Sequence, residues 1–231
     1  MTYKEWYDKY VEHNNKMSSI SNNWIGAEPI KHTKEELDEL IKYAENKGIK
    51  LYKRREFDGD IDLLKAEIDT VYSLRKEYGI TDPIMLGWKP MNANDFGETS
   101  KNHHEIWINE LALRSREITE KNLSADNYLV ANTAEGIAAH EMGHIISGKI
   151  KNGKTGIDIF IEMRYNVDKE KISVGQARRE LKMYVSEYAT AETPGKKTTY
   201  NEVIPEFISM YVTSPNSWSS EFVKLLKEAI L

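Results

Sequence analysis

The stretch AAHEMGHIIS, residues 138–147, carries two of the six histidines in this chain of 231 residues. Apolar residues surround the two histidines, Asn132 or Thr133 can cap a helix that carries them, and a glycine follows the stretch. In an α-helix, residues four positions apart lie on the same face, one turn above the other. The spacing therefore predicts that His140 and His144 direct two imidazoles at a single point.

Two imidazoles in this arrangement are typical of a zinc site, since zinc binds imidazole nitrogen at about 2.0–2.1 Å. Glu141 projects about 100° round the helix from His140 and can reach a metal-bound water without binding the metal. Because zinc lowers the pKa of that water to about 7, a carboxylate there can act as a general base. Gly143 lowers the helix propensity by about 1 kcal/mol. A residue with this cost in the middle of a helix indicates that another group packs closely against the helix there. The alternative is an ordinary buried helix that happens to contain two histidines.

A third ligand is required, because catalytic zinc has three protein ligands and an open position. Glu202 and Glu206 lie four apart in TTYNEVIPEFISMY, residues 198–211, on a predicted helix. One can bind the metal, while the other can accept a hydrogen bond from a ligand histidine and orient it. Thr199 and Glu202 also fit a capping box, and paired glutamates commonly face water, so a purely structural role is the alternative.

Composition narrows the classes of function. The chain is 40% hydrophobic and 30% charged, values that are usual for a soluble globular protein. Its net charge is −5 and its basic residues are spread along the sequence, so we expect no nucleic-acid binding. No apolar run approaches the roughly 20 residues of a membrane span, and the first residues lack the apolar core of a signal peptide. We therefore expect a cytoplasmic location, or a secreted protein from which a signal was removed. Because there is no cysteine, a metal must be bound through His, Asp or Glu.

Hydrophobic periodicity predicts the following elements: helical spacing over 4–17, a helix over 33–48, a strand over 49–54, a helix over 60–78, strands over 82–88 and 103–110, the helix with the two histidines, and helices over 169–189, 201–212 and 217–230. This order predicts an α+β fold in which a small mixed sheet packs on helices. We expect a single domain over 1–231. It comprises an N-terminal helical part (1–48), the sheet and motif helix (49–148), and a C-terminal helical part with the third ligand (149–231).

The sequences HEMGH and NEVIPE together resemble the gluzincin metallopeptidases, in which the ligand glutamate opens a Glu-x-x-x-Asp/Glu pair on a second helix. The match is closer to the anthrax lethal factor-like branch, which includes the Pro-Pro endopeptidases and peptidase-like domains of phage head proteins in Gram-positive hosts. VSEYA (185–189) is similar to a Ser-x-Tyr-type segment before the second helix. HHEIWIN (103–109) is similar to the strand before the motif helix. The resemblance covers roughly residues 49–211 and implies a zincin-like fold.

By position, this resemblance implies that His140, His144 and Glu202 bind one zinc ion per chain. It implies that Glu141 is the general base and that Glu206 is the carboxylate that orients a ligand histidine.

The resemblance also implies that Tyr188 donates its phenol to the oxyanion of the tetrahedral intermediate, which a preorganised donor stabilises. A buried core tyrosine is the alternative. The sequence departs from the family pattern at Pro205, where a small non-proline residue is usual, and in the rather long insert between Tyr188 and Glu202.

The implied function is a zinc-dependent endopeptidase that acts on a peptide or protein. We expect the substrate to pair with the edge of the strand over 105–109. His103 and His104 cannot share one face of a strand, so we expect surface residues there rather than a second site. Two alternatives stay open: a peptidase fold that serves as a phage head assembly or interaction module with little or no activity, and a metal-independent helical scaffold. The first of these favours a phage-associated location.

Overall fold

The computed structural model describes residue 24 and residues 26–53, 56–92, 95–125, 129–190 and 200–230. Within these residues the helices are α1 (Lys34–Glu45), α2 (Ile61–Glu77), α3 (Arg116–Ala125), α4 (Ala134–Ser147), α5 (Gly156–Asp168), α6 (Val174–Tyr184), α7 (Val203–Thr213) and α8 (Ser217–Ile230). The strands are β1 (Ile49–Lys53), β2 (Ile84–Lys89), β3 (Gly97–Thr99) and β4 (Glu105–Asn109), and short 3₁₀ turns occupy Glu110–Leu113 and Tyr188–Thr190. The helical spacing predicted over 4–17 lies outside the described residues.

The four strands form one mixed sheet in the order β1-β2-β4-β3. Strands β1, β2 and β4 run parallel, and β3 runs antiparallel to β4. Leu51, Leu86 and Ile106 are aligned across the three parallel strands, with Leu86 and Ile106 fully buried. The predicted α+β class with a small mixed sheet is therefore confirmed.

Helix α4, which carries the two histidines, is the central helix of the fold. It packs against α2 and the sheet on one side and against α7 on the other. Ala138, Met142 and Ile146 are fully buried. Thr133 occupies the N-cap position without a side-chain hydrogen bond, and the helix ends at Gly148 as predicted.

Small residues allow the backbones of α4 and α7 to approach closely. A Cβ atom at Gly143 would lie 2.4 Å from the Cα atom of Pro205, a distance that real atoms do not adopt. About two turns earlier on α4, the Ser209 hydroxyl donates a 3.0 Å hydrogen bond to the carbonyl of Gly136. The expectation that Gly143 marks a close approach is confirmed, and the neighbouring group is the first turn of α7.

The single helix predicted over 169–189 was wrong in its bounds. Lys169 adopts a left-handed conformation with φ 61° that ends α5, and Ser173 then caps α6 by accepting from the amide of Gln176. Helices α3 and α5 and strand β3 were not predicted. None of the helices in the described ranges is both long enough and apolar enough to cross a membrane.

Candidate metal centre

Three side chains from two helices converge where α4 meets the start of α7. Glu202 Oε2 lies 3.3 Å from His140 Nε2 and 3.4 Å from His144 Nε2. One ligand atom from each of the three residues lies within 4.8 Å of the others. The three side chains therefore form a group that could hold a metal ion.

The chemistry and spacing of this group fit a small divalent cation. Glu202 Oε2 is buried and lies between the two histidine nitrogens, so a proton or a cation on this side is needed to stabilise it. Two ligands at about 2.0–2.1 Å from a tetrahedral ion lie about 3.3–3.4 Å apart, which matches both measured distances. Two imidazoles and a carboxylate also suit zinc as ligand types.

Glu206 contacts His140 on the side of the ring opposite to Glu202. Its Oε1 atom lies 2.8 Å from His140 Nδ1, and its Oε2 atom accepts a 2.8 Å hydrogen bond from the amide of Val130. The side chain is fully buried, so it does not merely face water. A proton held on Nδ1 by this carboxylate leaves Nε2 of His140 with a free lone pair directed toward Glu202 and His144.

Burial and neighbouring charges shift the pKa values within the group. Burial opposes the protonation of His140, but Glu202 and Glu206 outweigh it and raise its pKa to about 10. Burial and the charge of His140 lower the pKa of His144 to about 4. Burial raises the pKa of Glu202, but the hydrogen bond from His140 and the charge of His144 outweigh it, so the net shift is downward. The carboxylates of Glu202 and Glu206 therefore favour positive charge at His140, on the side of the group that a cation would occupy.

Glu141 lies beside the three converging side chains and is 5% exposed. Burial raises the pKa of its carboxyl to about 7, against the opposing effects of His140 and of a hydrogen bond from Thr99. The Thr99 hydroxyl lies 2.7 Å from Glu141 Oε2 and 2.9 Å from the Glu141 carbonyl oxygen. A carboxyl with a pKa near neutral can both accept and return a proton at physiological pH.

Tyr188 is half-buried, and its ring lies 5.7 Å from that of His140, centroid to centroid. The structure thus brings this tyrosine beside the converging side chains. His103 and His104 are both exposed, as expected of surface residues. His103 packs near Gly148 at the end of α4, and its charge contributes to the low pKa of His144.

The expected pairing of a peptide with the strand over 105–109 was wrong. That strand, β4, lies between β2 and β3, so both of its edges are already hydrogen-bonded. Among the described strands, β3 lies outermost on the side of Glu141, and sequence reasoning missed it. The three residues Gly97–Thr99 are too few to show alternation. The only feature of the sequence that pointed to β3 was the run of turn-forming residues before the strand predicted over 103–110.

Comparison with protein-family profiles, with curated proteins and with solved structures gives no match for this chain.

Proposed function

We propose that the protein is a zinc-dependent endopeptidase with a zincin-like fold, in which His140, His144 and Glu202 hold one zinc ion. The observation that carries the proposal is the convergence of these three side chains, in which the distances from Glu202 Oε2 to the two histidine nitrogens match those around a tetrahedral ion. The resemblance of HEMGH and NEVIPE to the gluzincins supports the same assignment, because the structure brings those two motifs together.

When bound, the zinc ion supplies a Lewis acid and a water of lowered pKa. Glu141 then accepts the proton of the attacking water and returns it to the leaving amine. Glu206 keeps the Nδ1 proton of His140 in place and so fixes the tautomer of that ligand. Tyr188 donates its phenol to the developing oxyanion.

The extended peptide pairs with the outer edge of β3 by main-chain hydrogen bonds. This strand replaces β4 as the docking edge because β4 has no free edge. Gly97 and Thr99 of β3 both approach Glu141, so a peptide on this strand passes close to the general base.

Elemental analysis of protein purified without added metal, and again after incubation with zinc, tests the metal assignment. We expect about one zinc per chain, removed by a chelator. If no zinc is retained in either sample, the metal site is excluded and the helical scaffold remains.

Cleavage of a peptide library tests the activity. The wild-type protein should cleave, while Glu141→Gln should retain zinc and lose most turnover, since a general base contributes about 10²–10⁴-fold. Glu135→Gln is the matched control, because Glu135 lies on the same helix and pairs with Arg116 at 2.8 Å. Zinc binding without any cleavage would instead favour an assembly or interaction module.

A further inference from the structure

Strand β3 contacts the side chain of Glu141 through Thr99 and Gly97. Because side chains alternate along a strand, Gly97 and Thr99 face the same side, and Glu98 faces the other side, where it pairs with Lys89. The Thr99 hydroxyl lies 2.7 Å from Glu141 Oε2 and 2.9 Å from the Glu141 carbonyl oxygen, so the carboxylate is the nearer acceptor for its single proton. One oxygen of the carboxylate is therefore bonded to the strand.

Gly97 lies beside the other oxygen of the Glu141 carboxylate, Oε1. A Cβ atom at this position would lie 3.0 Å from Glu141 Oε1 and 3.1 Å from Glu141 Cγ. It would also lie 3.1 Å from Cγ2 of Ile137, one turn earlier on α4. The carboxylate thus occupies space that any other residue at position 97 would fill, so it lies against the backbone of β3.

We infer that β3 positions the Glu141 carboxylate for proton transfer, with Thr99 bonding Oε2 through its hydroxyl and Gly97 leaving room for Oε1. This inference rests on the proposed function. A glutamate side chain has several rotatable bonds, and the hydrogen bond from Thr99 selects one orientation among them. The β-branched side chain of Thr99 is itself stiff about χ1, which makes it a firm support.

The same strand offers its outer edge to the peptide, so one element aligns both the substrate and the base. The peptide pairs with main-chain groups of β3, whereas the base depends on the Thr99 side chain. Loss of the hydroxyl should therefore reduce kcat and leave KM largely unchanged. Misplacement of a reacting group by about 1 Å costs about 100-fold in rate, so we expect a loss of about 10- to 100-fold.

Three substitutions test the inference in the full-length protein loaded with zinc. Thr99→Val keeps the shape and removes the hydroxyl, Thr99→Ser keeps the hydroxyl, and Gly97→Ala adds the crowding Cβ. The matched control is Thr70→Val, since the Thr70 hydroxyl donates to the Ala66 carbonyl within α2. We expect reduced kcat for Thr99→Val and Gly97→Ala, near-normal kcat for Thr99→Ser, and wild-type kcat for the control.

A double-mutant cycle separates positioning from a general loss of structure. In the Glu141→Gln background, Thr99→Val should cost no further activity, because the group that Thr99 positions is already absent. Zinc affinity, measured by competition with a zinc-binding dye, should be the same in Thr99→Val and wild type. A changed affinity would mean that Thr99 acts through the metal ligands and would overturn the inference.

Normal kcat for Thr99→Val, or an equal loss for Thr99→Ser and Thr99→Val, would also overturn the inference, because each outcome removes the role of the hydroxyl. These outcomes require an active wild-type protein. A wild-type protein that binds zinc and cleaves nothing would overturn the proposed function, and with it the role of Thr99.

Discussion

Replacement of Glu206 by glutamine changes one atom of a fully buried side chain and should weaken zinc binding. Both carboxylate oxygens face a donor: Oε1 lies 2.8 Å from His140 Nδ1, and Oε2 accepts from the Val130 amide at 2.8 Å. A carboxylate offers two acceptors, whereas a primary amide offers one acceptor and one donor group. Glutamine therefore cannot satisfy both neighbours as glutamate does.

Two orientations of the glutamine side chain are possible, and each has a cost. If its oxygen accepts from Val130, its NH₂ group donates to His140 Nδ1 and moves the histidine proton to Nε2. That nitrogen faces Glu202, and once protonated it has no lone pair for a metal. If the amide turns over, its NH₂ group meets the Val130 amide, and a buried N–H without a partner costs about 1–3 kcal/mol.

Loss of a carboxylate that orients a ligand histidine typically lowers metal affinity about 10- to 100-fold. This corresponds to about 1.4–2.8 kcal/mol at about 1.4 kcal/mol per tenfold change. Glu202→Ala should lose more than this, because it leaves only two histidines as ligands. Competition titration with a zinc-binding dye at constant pH measures both variants, and thermal unfolding detects the cost at Val130.

Wild-type zinc affinity and wild-type stability in Glu206→Gln would together refute this reasoning. A larger loss of affinity at Glu206 than at Glu202 would exchange the roles of the two glutamates. The control is Glu135→Gln, which alters a carboxylate paired with Arg116 elsewhere on α4 and should leave zinc affinity unchanged.

Three further changes have expected outcomes. Gly143→Ala should lower the midpoint of thermal unfolding despite the higher helix propensity of alanine, because its Cβ would lie 2.4 Å from the Cα atom of Pro205 and overpacking costs about 1–3 kcal/mol. Gly175→Ala in α6, where a Cβ meets nothing within 4 Å, is the control, and an equal effect of both would contradict the packing argument. Burial raises the pKa of Glu67 well above 4.5, so the native state retains a proton that the unfolded chain releases. The free energy of unfolding should therefore fall as pH rises above about 4.5, by up to about 1.4 kcal/mol per pH unit. Urea unfolding at a series of pH values measures this dependence. The same slope of unfolding free energy against pH in Glu67→Gln would exclude Glu67 as the cause. Tyr188→Phe should retain zinc and lower kcat by about 10²–10³-fold, as for other oxyanion donors, and an unchanged kcat would remove Tyr188 from the mechanism.

The pairing of His140 with His144 could be predicted from the sequence because it depends only on the geometry of one helix. The meeting of His140 with Glu202 could not be derived from spacing, since helical spacing shows that two glutamates share a face but not what that face contacts. Only the resemblance to the gluzincins implied it. Gly136 and Gly143 indicate which side of α4 another helix can approach. They lie on one side of α4, and the structure shows that this side receives α7.

Strand β3 could not be predicted, because its three residues carry no periodic pattern. Its position depends on contacts with β4 and with Glu141, which belong to distant parts of the chain. Without β3, the strand over 105–109 would be an edge strand, which is why the sequence predicts that a peptide pairs there. Thr99 was missed for the same reason, since a lone threonine in a predicted loop gives no sign of a buried hydrogen bond.

Pro205, which departs from the gluzincin pattern, has a physical reason in this structure. It is the third residue of α7, where a backbone N–H has no acceptor within the helix and normally bonds to the side chain of the N-cap residue. The N-cap residue here is Glu202, whose side chain makes no capping bond and faces His140 and His144 instead. An N–H at position 205 would therefore be buried against Gly143 without a partner, at about 1–3 kcal/mol. Proline has no N–H and is tolerated in the first turn, so it allows the capping residue Glu202 to face the two histidines.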